Sequence, residues 1–261
     1  MPDFLDFLAR DAQETIENGY YSRFNETEAM NISLCKAVLL SHCVPIIAEI
    51  KGASPSAGVI REDIQAGKIA ESMAQGGSVG ISVLTEPKHF NGSLSNLSKV
   101  RKAVNLPILM KDIIISPMQF DAASRIGANA ILLIQSLLDR GYCTLEAHEM
   151  IEEAHSRGLE VLLEVHDEDE FQRAMKSDAD LVGINNRNLR NLQVDLNITK
   201  MVLERKRVGK KIIVSESGIS TSSDIRFLSA AGANAFLVGS AIMSAYDIES
   251  KVRELTLALE D

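Results

Sequence analysis

The sequence predicts an α/β protein: a (β/α)8 TIM barrel with an N-terminal helical extension. Three observations carry this. First, from residue 46 onward, eight short β-rich runs alternate with eight helical patterns. Repeated β–α units imply parallel pairing with right-handed crossovers. Second, each run is almost continuously apolar, as a strand is when helices cover the sheet. Third, polar residues gather where the runs end, and a barrel keeps its site at the C-terminal ends of its strands. Eight units in roughly 215 residues fit a barrel of about 250 residues. A doubly wound open sheet is the alternative, but no dinucleotide fingerprint accompanies the units. Residues 1–261 read as one barrel domain, with 1–45 as the extension.

The extension opens on residues 3–17, where Phe4, Phe7, Leu8, Ala12 and Ile16 recur at helical spacing opposite a polar face. A second helical stretch covers about 33–41. Together they read as a lid over a core, or as a helix that binds a partner. The strands are expected at 46–51, 80–85, 108–111, 130–134, 160–165, 181–185, 212–215 and 236–238. Helices are expected between them at 64–75, 94–103, 117–126, 145–157, 167–176, 196–206 and 222–231, with a last one near 246–259. Small-residue turns lead into four of the strands: GGSVG at 76–80, GANA at 127–130, SDAD at 177–180 and GANA at 232–235.

Bulk properties exclude some classes of function. The net charge of −9 offers no basic excess to neutralise nucleic-acid phosphates. No apolar run approaches the roughly 20 residues that span a bilayer. The start, MPDFLDFLARD, carries acids where a secretory leader carries bases. Cys35, Cys43 and Cys143 are scattered with no CxxC, which points to reduced thiols and the cytoplasm. The five histidines, at 42, 89, 148, 155 and 166, lack metal-site spacing, so no metal is expected.

The stretch IIAEIKGASPSAGVI, residues 46–60, stands out. Glu49 and Lys51 interrupt an apolar strand, and period-two alternation puts both on one face. Charges are rarely buried unless paired or used. The other strands end in a similar way. Thr85 and Glu86 follow strand 2; Lys111 and Asp112 close strand 3; Glu164 closes strand 5; Asn185 and Arg187 close strand 6; Ser215, Glu216 and Ser217 close strand 7. One Lys or Glu at a strand end is ordinarily a solvated loop residue, but two Lys, two Glu, an Asn and an Arg on one rim form a set. A lysine buried beside another lysine would have its ammonium pKa lowered and could act as a general acid. Glu164 in a dry mouth could serve as acid or base. The loops SESGIS (215–220) and VGSAIM (238–243) place Gly and Ser after strands 7 and 8, where barrels commonly hold phosphate.

Taken together, AEIK and SPS at 48–56 with Gly58, ISVLTEP with Phe90 and Gly92-Ser93, Lys111-Asp112 with Ile114, LLIQSLL at 132–138, LLEVH at 162–166, GINNRNL at 183–189, SESGI at 215–219 and FLVGSAIM at 236–243 resemble the indole-3-glycerol phosphate synthases of tryptophan biosynthesis. The likeness runs in order through all eight strands and includes the extension. It implies a cytoplasmic carboxy-lyase with a phosphorylated small-molecule substrate and no cofactor. By this likeness the catalytic set is Lys111, Glu164, Lys51, Glu49 and Asn185. Lys111 is the general acid and Glu164 its partner in the later dehydration. Lys51 lies between phosphate and reacting centre, and Glu49 and Asn185 orient these groups. Ser54, Phe90, Arg187 and Glu216 bind substrate, and Ser217, Gly218, Gly239 and Ser240 cradle the phosphate. Docking to another tryptophan-pathway enzyme is left open. The family often has KRASPSKG where this chain has KGASPSAG, and Arg and Phe where it has Met110 and Ile113. These changes bear on loop closure, phosphate affinity and the tuning of Lys111, and they spare every proton-transfer residue. Residues 52–58 are expected to form a mobile cover. The competing readings are a sugar-phosphate isomerase, a non-catalytic phosphate-binding barrel, and a scaffold for a partner.

Overall fold

The eight expected strands close into a parallel barrel. A computed structural model of the chain describes residues 3–24, 26–27, 30–54, 58–59, 64–188, 191–204, 209 and 211–260. The strands are β1 (Ile46–Ile50), β2 (Gly80–Leu84), β3 (Ile108–Lys111), β4 (Ala130–Ile134), β5 (Glu160–Val165), β6 (Leu181–Asn185), β7 (Ile212–Glu216) and β8 (Ala235–Val238). Each pairs with its sequence neighbours, and β8 closes on β1 through Ile46 opposite Phe236. Every residue of β1, β2, β4, β6, β7 and β8 is buried. Parity therefore separates two dry environments. One set of side chains fills the barrel, and the other packs under the helices.

Helices return the chain between strands. They are α3 (Ala66–Gln75), α4 (Leu94–Ala103), α5 (Pro117–Ile126), α6 (Gln135–Asp139), α7 (Ala147–Ser156), α8 (Glu168–Lys176), α9 (Asn197–Leu203), α10 (Ser222–Ala231), α11 (Ser240–Met243) and α12 (Ile248–Thr256). Their starts carry the expected chemistry. Ser116 and Thr221 cap α5 and α10 with reciprocal capping boxes, and Asp167 caps α8. Gly127 and Gly232 end α5 and α10 in the left-handed region. Two helices depart from the expected pattern. α6 follows β4 directly inside LLIQSLL, and α11 follows β8 inside VGSAIM. Both are short apolar segments, which periodicity cannot separate from strand or loop.

The extension clasps the barrel at both ends. Its first helix, α1 (Phe4–Glu17), buries Leu5, Leu8, Ala9, Ala12 and Ile16. Asp3 caps it, and the Asp6 carboxylate answers the Asp3 N–H. Arg140 donates to Asp3 at 2.8 Å and to Asp6 at 2.7 Å. At the other end Lys88 reaches Glu14 at 2.7 Å, and His89 lies 2.6 Å from Asp11. A 3-10 turn at Tyr20–Ser22 then sends the Tyr21 hydroxyl to Asp112 at 2.9 Å. The second helix, α2 (Leu34–Leu39), docks at the opposite end, where Glu160 at the start of β5 accepts the backbone N–H groups of Leu34 and Cys35. Among the described residues no helix is long and apolar enough to cross a membrane.

Candidate active site

Inward parity brings the charged strand ends into one cavity of about 460 Å³ at the C-terminal mouth. Its lining includes Glu49, Lys51, Lys111, Glu164, Asn185, Arg187 and Glu216, with Ser217, Gly218, Gly239 and Ser240 at one side. Phe90, Ile113, Leu132 and Ile134 form apolar wall, and Phe4, Leu5 and Leu8 of α1 roof it. All the expected site residues but one thus meet in this cavity. Ser54 is placed only by its backbone, where Ala53–Ser54 pairs antiparallel with Gly58–Val59. Its side chain lies outside the described residues. So do residues 55–57 of the expected cover, including Ala57.

Lys111 is the hub. Its ammonium donates to Glu216 Oε2 at 2.8 Å and to Glu164 Oε2 at 3.1 Å. This differs from the expected lysine–lysine pair. Lys51 instead pairs with Glu49 at 2.9 Å. Burial opposes the Lys111 charge, but Glu216, Glu164 and Glu49 outweigh it and raise its pKa above the ordinary lysine value. The expected lowering by a neighbouring cation does not occur, because carboxylates surround the group. Lys111 is therefore fully protonated at neutral pH.

The two glutamates on Lys111 diverge. Burial works to raise the Glu164 pKa, but Lys111, His166 and Asn185 overcome it and hold the carboxyl well below the usual range. Asn185 Nδ2 donates to Glu164 Oε1 at 3.0 Å. Burial dominates at Glu216, assisted by the nearby Glu164, and pushes its pKa up to about 7 against the pull of Lys111. Glu216 Oε1 and Glu49 Oε2 are buried with no hydrogen-bond partner among the described residues. Unpaired buried oxygens cost free energy, and a bound hydroxyl or ammonium would relieve it. Glu216 fits only because residue 183 is glycine. A Cβ there would overlap Glu216 Oε1.

The opposite rim is built from backbone. Ser217 and Gly218 follow β7 in the left-handed region, at φ 66° and 84°. A non-glycine residue in that conformation stores strain that the surroundings must hold. Asn186 supplies the hold. It donates to the Ser217 carbonyl at 3.2 Å and to Ser215 Oγ at 3.0 Å. Thr199 Oγ1 donates to Asn186 Oδ1 at 2.8 Å. Across the mouth Gly239 leaves room for β1, since a Cβ there would lie 2.5 Å from Glu49 Oε1 and 2.9 Å from Lys51 Nζ. The Lys51 ammonium thus rests against the start of the second glycine–serine loop. Arg187 donates to the Leu192 carbonyl at 3.0 Å. The N–H groups of Lys88, His89 and Phe90 all donate to the Glu86 carboxylate, which fixes the loop that presents Phe90.

Three groups carry more of the site than sequence reasoning gave them. Glu216 is expected as a substrate contact, yet Val214 and Glu216 share parity with the barrel interior, a signal that sets Glu216 in the inward charged group. Asp112, behind Lys111, accepts from Tyr21, Thr85 and its neighbour's N–H, and burial pushes its pKa up to about 7. His166 enters the sequence reading only among the histidines that lack metal-site spacing, although the Glu164-x-His166 spacing places both on one face.

A closed parallel barrel with buried titratable side chains and two glycine–serine loops at its carboxyl mouth is built as barrel enzymes are. The family model for indole-3-glycerol phosphate synthase matches residues 10–255, and the chain belongs to that family. It is 43% identical to indole-3-glycerol phosphate synthase 2 of Ralstonia nicotianae, covering 82% of this chain and 78% of that one. It is 40% identical to the synthase of Carboxydothermus hydrogenoformans, covering 87% and 85%. Among solved structures, thiamine phosphate pyrophosphorylase from Pyrococcus furiosus superposes with a TM-score of 0.60 over 87% of this chain and 98% of that one. At 16% identity it shares the fold alone.

Proposed function

We propose that the chain performs the ring closure of 1-(2-carboxyphenylamino)-1-deoxyribulose 5-phosphate to indole-3-glycerol phosphate, carbon dioxide and water. The observation that carries this is the Lys111 ammonium held between Glu164 and Glu216 in an apolar-roofed cavity. The substrate phosphate sits on the backbone of Ser217, Gly218, Gly239 and Ser240, with Lys51 alongside. The aromatic ring lies against Phe90 and the apolar wall, with Arg187 and Ser54 near its carboxylate.

The carboxyl-bearing ring carbon attacks the substrate ketone, and a carbon–carbon bond forms. Charge develops on the ketone oxygen, and Lys111 donates a proton to it. Carboxylates keep Lys111 protonated, and an alkoxide is a stronger base than even a raised lysine, so the transfer runs downhill. Loss of carbon dioxide from the same ring carbon restores aromaticity. The new hydroxyl then leaves with a proton as water, while a proton is lost from the substrate to complete the pyrrole ring. Glu164, held ionised, suits the base in that dehydration. Glu216, protonated in part at neutral pH and 2.8 Å from Lys111, suits the group that returns a proton to it. Glu49 and Asn185 hold Lys51 and Glu164 in place. We place the enzyme in the cytoplasm, a reading that its three scattered free cysteines support.

The test is to supply the carboxyphenylamino-deoxyribulose phosphate to purified protein at pH 7–8 and follow indole fluorescence and carbon dioxide together. Equal yields of both are expected. A folded protein that binds the compound and releases neither would sink the proposal.

A further inference from the structure

His166 has no part in the steps above, yet it is built into the group that does. It lies two residues beyond Glu164, on the same face of the chain. Its buried Nε2 lies 3.2 Å from Glu164 Oε1, at ion-pair distance but not aligned as a hydrogen bond. Its Nδ1 lies 3.3 Å from Glu170 Oε2, and the same oxygen accepts the His166 backbone N–H at 2.8 Å. Both carboxylates are fixed from behind. Asn185 holds Glu164, and Ser136 of α6 donates to Glu170 Oε1. Glu170 itself sits in the first turn of α8, its N–H bound to Asp167 Oδ1 at 2.8 Å.

A neutral imidazole has one N–H, so it can satisfy only one of two flanking carboxylates. The imidazolium donates on both sides. The titratable groups facing the ring are Glu164 from β5 and Glu170 from α8. Beyond Glu164 stands Lys111 from β3, which Glu164 shares with Glu216. Neither β6 nor α6 adds a charge at this point, contributing Asn185 and Ser136. Among the described residues the cations paired with Glu164 are thus Lys111 and His166.

We propose that His166 is a positioning residue: as an imidazolium clamped between Glu164 and Glu170, it keeps Glu164 ionised and aimed at Lys111. This rests on the reading of Glu164 as a proton-transfer group. Burial alone would favour the neutral ring, but the two carboxylates prevail and raise its pKa to about 9. Loss of the ring's charge leaves Glu164 with half of one lysine, so its affinity for a proton rises.

Two measurements test this. The first is ring nitrogen NMR of the unliganded wild type from pH 6 to 10. His166 is expected to be charged at pH 7.5 and to titrate above pH 8, with Glu170→Gln lowering that midpoint by about one unit. A ring that is neutral at pH 7 would overturn the proposal. The second is the pH profile of kcat/KM. In His166→Gln the acid limb should move up by about one unit, with kcat at pH 7 falling at least 10-fold and KM changing less than about 3-fold. A folded variant with an unmoved limb and a uniform rate loss would mean packing only, and would overturn it. If His166→Gln does not fold, Glu170→Gln serves in its place. Its alkaline limb should shift down, and an unmoved one counts against the proposal. A wild type without ring-closing activity would refute the proposed function and leave the NMR result to decide this inference.

Discussion

At the residue scale, the site depends on which charges share which neighbours. Strand parity made Glu49, Lys51, Lys111, Glu164 and Asn185 legible as one inward set. It could not give their pairing. Lys111 and Glu216 are 105 residues apart and meet across the barrel, and no local pattern records such a contact. Hence the sequence pointed to a lysine pair where the structure has two lysine–carboxylate clusters. Two predictions belong here. Gly183→Ala would drive a methyl group into Glu216. Turnover should fall at least 10-fold with an overpacking cost of about 1–3 kcal/mol, read by kinetics and urea melts. Unchanged kinetics would show that Glu216 is not needed where it stands. His166 also links activity to stability. Its folded pKa of about 9 exceeds the ordinary 6.5, so its stabilising contribution is complete below pH 6.5 and is lost as pH rises through 9. Melting temperature should therefore decline less across pH 6.5–9 in His166→Gln than in wild type.

At the element scale, the repeating units were readable because buried parallel strands are apolar runs bounded by caps and glycines. Strand and helix limits fell within a few residues of expectation for the same reason. The roof was only half readable. The stripe of α1 was plain, but its place depends on Arg140, Lys88 and His89, which sit on loops far along the chain. Surface pairs of this kind contribute about 0.2–1 kcal/mol each. Arg140→Ala should therefore barely change global stability. It should raise KM several-fold, because Phe4, Leu5 and Leu8 line the cavity and would sit more loosely. Thermal melts and steady-state kinetics separate the two effects. A large stability loss with unaltered KM would make α1 a strut rather than a roof.

At the scale of the whole molecule, the extension and barrel are interlocked. α1 crosses the mouth, α2 sits at the other end against Glu160, and Tyr21 is tied to Asp112 behind the site lysine. We expect one cooperative unfolding transition, with circular dichroism and tyrosine fluorescence coinciding. Separate transitions would divide the chain into two units. The absence of tryptophan helps here, because any indole signal then belongs to product rather than protein.

That property makes the central claim directly measurable. In a single-turnover experiment, wild type and Lys111→Ala are each mixed with the carboxyphenylamino-deoxyribulose phosphate, and indole fluorescence is followed alongside equilibrium binding of the substrate. The account predicts that Lys111→Ala binds within about 10-fold of wild type and forms indole at least about 10²-fold more slowly, the loss expected when a proton donor worth 10²–10⁴ is removed. Indole formation by Lys111→Ala at more than a tenth of the wild-type rate would contradict it.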